Sequence, residues 1–197
     1  MNGALSTIAP FFAVFVVENI EGGNPQVVGF AVAAYWIVKS IFQLPIARWL
    51  DKTDGEFDEF WALAGSYFLS ASVPIIYFFA ESPWHIYLAQ GLLGFFYAWA
   101  VPAWYSIFTR HLDKFRIGFE WSLYSVFSIG ASASLAAAGA GILVERFGFK
   151  IVFLLASVII AFSAISLLTI KKHLFKAPKK VLSVVIPEKK HKFHGTQ

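Results

Sequence analysis

The sequence predicts an all-α membrane protein with six transmembrane helices. Three observations carry this: a composition too apolar for a water-soluble globule, long apolar stretches, and basic residues that favour alternate loops. Of the 197 residues, 58% are hydrophobic and only 14% charged, against roughly 25% charged in an average soluble domain. Mean hydropathy is +0.65. A soluble chain of this kind would expose large apolar patches and aggregate, whereas lipid removes that difficulty. There is no cysteine, which excludes disulfides, thiolate chemistry and cysteine-ligated metals. No cleavable signal peptide is expected, because Met1 to Pro10 has no basic start and no small-residue cleavage site.

A bilayer core needs about 20 mostly apolar residues per helix. The first expected span, about Ala4 to Val17, is short and contains Pro10. The second runs from about Gln26 to Leu50, after the break Glu21-Gly22-Gly23-Asn24-Pro25. The third covers about Phe60 to Ala80. The fourth covers about Pro83 to Thr109, with Pro83 suited to a first helical turn. The fifth covers about Ile117 to Val144 and the sixth about Lys150 to Ile170. Most are apolar all round, as lipid-packed spans are, and the alternation of a membrane β-barrel is absent. Residues 1–172 therefore read as one transmembrane domain. Residues 173–197 read as a basic cytoplasmic tail that is flexible, able to lie near anionic headgroups or simply to fix topology.

Loop charges set the orientation. The loop after the second span holds Arg48 and Lys52; the loop after the fourth holds Arg110, Lys114 and Arg116; the tail is strongly basic. The loops after the first and third spans carry Glu18, Glu21 and Glu81 but no Lys or Arg. Positive residues mark the cytoplasmic side, so both termini are expected inside the cell membrane. Arg146 and Lys150, in an expected outer turn, run against the pattern. The pI near 9.3 is explained by this topology, and no nucleic-acid partner is expected.

Four features offer chemistry. Lys39 lies near the middle of the second span. Intramembrane charge is costly and marks a site by default, so Lys39 is a candidate substrate or coupling-ion contact. The alternatives are a pair with a carboxylate such as Glu18, or snorkelling. In the fourth span, Gln90, Tyr97 and Trp104 recur every seven residues on one face, with Pro102 freeing backbone carbonyls. That face either lines a cavity or packs as an ordinary aromatic surface. In the fifth span, Gly130, Ser134 and Ala138 fall at i, i+4 and i+8, with Gly139 and Gly141 beside them, a pattern for close helix packing. The loop Asp51 to Glu59 clusters carboxylates of the kind that can hold a divalent cation. Its Asp51-x-x-Asp54-Gly55 opening echoes the CDP-alcohol phosphotransferase signature. The Ala-Arg pair and the later Gly-x-x-x-Asp-x-x-x-Asp of that signature are absent, and no Ser-His-Asp set or metal cluster is visible. Neither an enzyme nor a metal or other cofactor is expected.

The same loop resembles the major facilitator superfamily, whose Gly-x-x-x-Asp-Arg/Lys-x-Gly-Arg-Arg/Lys motif joins its second and third helices. Asp51-Lys52 matches the central pair. Ala47 stands at the first Gly, Gly55 falls one residue late, and Glu56 and Asp58 replace the basic pair. The Gly/Ala-rich fifth span and the turn Arg146-Phe147-Gly148-Phe149-Lys150 are also similar to that family. The resemblance implies a secondary transporter working by alternating access. Its members have two six-helix halves, each a 3+3 inverted repeat, around a midplane site. This chain then corresponds to one half, a half-length member or a fragment, completed as a homodimer or by a second half. It implies that the first and fourth spans line the path of a small solute, with Lys39, Gln90, Tyr97 and Trp104 as contacts. It also implies a gating role for Asp51, Lys52 and Gly55. The rival reading is a non-transporting membrane scaffold; a membrane enzyme using loop 51–59 is the remoter one.

Overall fold

A computed structural model describes residues 8–52 and 56–174. A 3₁₀ turn at Ala9–Phe11 leads into α1 (Phe12–Asn19). Then follow α2 (Pro25–Lys52), α3 (Glu56–Ser70), α4 (Ser72–Phe78) and α5 (Pro83–His111). After α6 (Ile117–Leu123), a π-helical stretch at Tyr124–Ala131 leads into α7 (Ser132–Phe147), and α8 covers Phe149–Leu174. The described residues are helical almost throughout, with no strand among them.

Among the described residues, five spans are long and apolar enough to cross a bilayer: Pro25–Lys52, Glu56–Phe78, Pro83–His111, Ile117–Phe147 and Phe149–Thr169. They correspond to the second to sixth expected spans. The first is short here as in the sequence: α1 has 8 residues, and Ala4 to Thr7 lie outside the described residues. Most of the expected tail, residues 175–197, lies outside them too.

Local chemistry sets several boundaries. The third span begins at Glu56, four residues before the expected Phe60. Glu56, Asp58 and Glu59 fill its first turn, where carboxylates are favoured by the helix dipole. It breaks at Ala71 because Pro74 lacks an N–H and its ring crowds the carbonyl of Ser70. The hydroxyl of Ser157 on α8 donates to the Ala71 carbonyl at 2.7 Å, so the break is satisfied from a neighbouring helix, as lipid requires. Helix α5 starts on Ser82-Pro83, where Ser82 Oγ lies 2.9 Å from His85 Nδ1. Gly148 separates α7 from α8 at φ 77° and ψ 172°, a conformation open almost only to glycine.

The broadest helix contact is α2 against α5, followed by α3 against α5 and α8, and α4 against α8. One core cluster, including Phe12, Phe15, Val16, Ala31, Tyr77, Ile86 and Phe153, joins α1, α2, α4, α5 and α8. A second, including Ile46, Leu50, Phe60, Leu63, Ala98, Ala103 and Ile107, joins the opposite ends of α2 and α5 to α3. Burial is uneven. In the most apolar windows of Glu56–Phe78 and Pro83–His111, 50% and 44% of residues are buried, against 11% for Pro25–Lys52 and 6% for Ile117–Phe147. Those last two spans leave most of their surface to lipid or another protein.

Candidate functional site

A cavity of about 310 Å³ is walled by Ile8, Phe12 of α1, Val32 and Tyr35 of α2, Val73, Pro74 and Tyr77 of α4, and Gln90, Leu93 and Tyr97 of α5. Its wall is mainly apolar, with one amide and three phenols. Gln90 is 9% exposed and Tyr77 3%. No hydrogen bond to Gln90, Tyr35, Tyr77 or Tyr97 side chains forms among the described residues. Buried polar groups are normally paired, so this convergence leaves donors and acceptors available to an occupant. Among the described residues, no Asp, Glu, Lys or Arg lines the cavity.

Close helix approach builds the wall. A Cβ on Gly94 would run into the backbone of Tyr35, so only glycine lets α5 pass against α2 there. Tyr35 and Tyr97 then meet edge to face with centroids 6.1 Å apart, and Phe42 and Phe95 meet at 5.1 Å. Such aromatic pairs contribute about 0.5–1.5 kcal/mol beyond area burial.

The structure brings Gln90 and Tyr97 to the cavity but not Trp104. Trp104 stacks on Phe108 at 5.0 Å and packs on Tyr124 at 5.2 Å, in an aromatic cluster with Trp121. Its indole N–H is buried without a hydrogen-bond partner. Lys39 is half-buried outside the cavity wall. Its Nζ lies 4.7 Å from the Trp36 ring centroid and 5.6 Å from that of Tyr35. Neither Glu18 nor any other described carboxylate pairs with it.

Asp51 and Lys52 are exposed at the end of α2, and Gly55 lies outside the described residues. The charged link at this end of the bundle is instead Glu59. Its carboxylate, on a residue 3% exposed, pairs with the Arg110 guanidinium and accepts from Ser106 Oγ at 2.6 Å. Arg110 also donates to Ser106 Oγ at 2.7 Å. Glu59 is thus committed to α5 rather than free for a cation. In the fifth span, Gly130, Ser134, Ala138 and Gly139 are exposed. Of the small residues around them, Ala140 is buried, and a Cβ on Gly141 would meet Phe11 at 3.4 Å.

Sequence reasoning missed Tyr35, Tyr77 and Gly94. Tyr35 had a usable signal: it lies one helical turn before Lys39, on the same face. Tyr77 and Gly94 had none, since each sits inside a continuous apolar stretch.

A family model described as Major Facilitator Superfamily matches residues 2–193. No curated protein and no solved structure matches the chain.

Proposed function

The chain belongs to the major facilitator superfamily, and on that premise we propose that it is one half of a secondary transporter that moves a small solute by alternating access. As an integral membrane protein of a transporter family, it has the lipid bilayer and a small solute as its basic partners. The observation that carries the proposal is the cavity between α1, α2, α4 and α5, where Gln90 and Tyr97 present unpaired polar groups. Pockets of this kind, mostly apolar with a few placed polar groups, are the usual form of small-molecule sites.

The second half is supplied by another copy of this chain, by a partner half-transporter or, where this chain is a fragment, by the rest of the same polypeptide. Thin burial along Pro25–Lys52 and Ile117–Phe147, with Gly130, Ser134 and Ala138 exposed, supports such a partner, because small residues allow close helix contact. Basic residues put Arg48, Lys52, Arg110, Lys114 and the tail on the cytoplasmic side of the cell membrane. Asp51 and Lys52, with Gly55, act at the gate between spans.

The test is reconstitution. Purified chain in proteoliposomes should show counterflow of a solute from a small-molecule panel, lost in Gln90→Leu and reduced in Tyr97→Phe. In detergent it should run as a dimer. A strictly monomeric species that moves no solute would sink the proposal.

A further inference from the structure

Helix α2 has 28 residues and is about 42 Å long at 1.5 Å per residue. Lys39 follows Pro25 by 14 positions and precedes Lys52 by 13, about 20 Å from either end. A hydrocarbon core about 30 Å thick and centred on α2 ends about 15 Å from Lys39 on each side. Sliding the helix by one turn, about 5.4 Å, still leaves the nearer edge about 9 Å away. A lysine stem reaches about 6 Å. Snorkelling therefore does not bring this ammonium to headgroups. No described carboxylate neutralises it, and the rings of Trp36 and Tyr35 lie beside it. A mid-membrane ammonium so placed faces water or protein rather than lipid.

Tyr35 connects this cation to the cavity. One side of it lies under Lys39 at 5.6 Å, and it also lines the cavity with Tyr97 and the unpaired Gln90. We infer that Lys39 and the adjoining aromatic cavity form a subsite for an aromatic monocarboxylate. The carboxylate sits on Lys39 Nζ, and the ring lies among Tyr35, Tyr97 and Leu93. A single negative charge is specified because one lysine balances one charge and the described residues of the cavity wall hold no other. A dianion such as phosphate leaves an uncompensated charge in an apolar wall, which is strongly disfavoured. The inference deepens the transporter reading and rests on it for the solute's arrival at mid-membrane.

The test uses the full chain in nanodiscs with radiolabelled benzoate as probe and benzamide as its neutral counterpart. Wild type should bind benzoate saturably, and benzamide should not compete. Lys39→Gln should weaken binding about ten- to a hundredfold, the scale of a charge-assisted hydrogen bond, and Lys39→Arg should restore most of it. Because the chain has no cysteine, the Lys39→Cys variant carries a single thiol, which should react with a membrane-impermeant anionic thiosulfonate. Benzamide competing as well as benzoate, no benzoate binding, or an unreactive thiol in folded Lys39→Cys protein each overturns the subsite. Lys39-dependent benzoate binding without flux across vesicles upholds the subsite and removes the transporter reading. Flux of neutral solutes that ignores Lys39→Gln does the reverse.

Discussion

Removing Arg110 should cost more than removing the carboxylate it pairs with. The pair is asymmetric: the Glu59 side chain is 4% exposed and that of Arg110 38%. An exposed ion pair contributes about 0–1 kcal/mol, whereas stranding one member of a buried pair costs about 3–5 kcal/mol. Arg110→Met strands the buried member, whose remaining bond comes from Ser106 Oγ. More than a third of the Arg110 side chain is already open, so the cost falls between those limits. About 2 kcal/mol is expected, a shift of about thirtyfold in the folded ratio at 1.4 kcal/mol per tenfold. Glu59→Gln strands the exposed member, which can turn to water or headgroups, and should cost less than about 1 kcal/mol. The double variant Glu59→Leu, Arg110→Met leaves neither charge unpaired and should lie near wild type. The assay is SDS titration of purified protein in mixed micelles, following helix loss by circular dichroism. Equal costs for the two single variants, or a double variant as weak as the sum of both, would refute the reasoning.

Three further outcomes follow from packing. Gly94→Ala forces a methyl into the Tyr35 backbone and should cost about 1–3 kcal/mol as an overpacked contact, while Gly91→Ala, whose Cβ would meet Val38 Cγ2 at 4.0 Å, should be nearly silent in the same titration. Gly148→Ala places a Cβ at φ 77° and ψ 172° and should cost about 1–3 kcal/mol, read as a lower thermal midpoint in detergent. Ser157→Ala removes the hydroxyl that meets the Ala71 carbonyl; interhelical bonds in membranes average about 0.6 kcal/mol, so a loss above that scale in thermal denaturation would mean the break at Ala71 depends on more than this bond.

The spans were legible because their signal is length and apolarity, which lipid reads directly. Boundaries were less so. At the start of α3 the first-turn carboxylates are a local signal, but the partners of Glu59, Ser106 and Arg110, lie 47 and 51 residues away and no local pattern reveals them. The break at Ala71 had a local signal in Pro74, yet hydropathy alone passes over it. The π-helical stretch at Tyr124–Ala131 has no sequence signature we can name. On the fourth span, a seven-residue repeat drifts by about 20° per step on a straight helix. Tyr97 stays on the Gln90 face after one step. Trp104, after two steps and beyond Pro102, has turned about 40° and packs on Tyr124 instead. The repeat found the cavity and then overran it.

The least buried spans decide between a scaffold and a transporter. A scaffold's exposed helix face needs only apolar residues, and Phe30, Ile37, Ile41 and Leu44, each more than half exposed, supply them along α2. On such a face Lys39 is pure cost, about 2.5–3.5 kcal/mol at a helix centre on insertion scales, with no described carboxylate to offset it. Leucine there would be the better choice for folding. Under the proposed subsite, this cation, held over Trp36 and one residue removed from an aromatic cavity, gains its use when something negative arrives. Gln90 is a largely buried residue whose amide opens onto the cavity without a hydrogen bond, where leucine would leave no polar group to satisfy. Trp104 Nε1 is also buried and unpaired, among packed rings, so an orphan polar group does not by itself mark a solute path; Lys39 and Gln90 differ from it in their place, one beside the cavity and one on its wall.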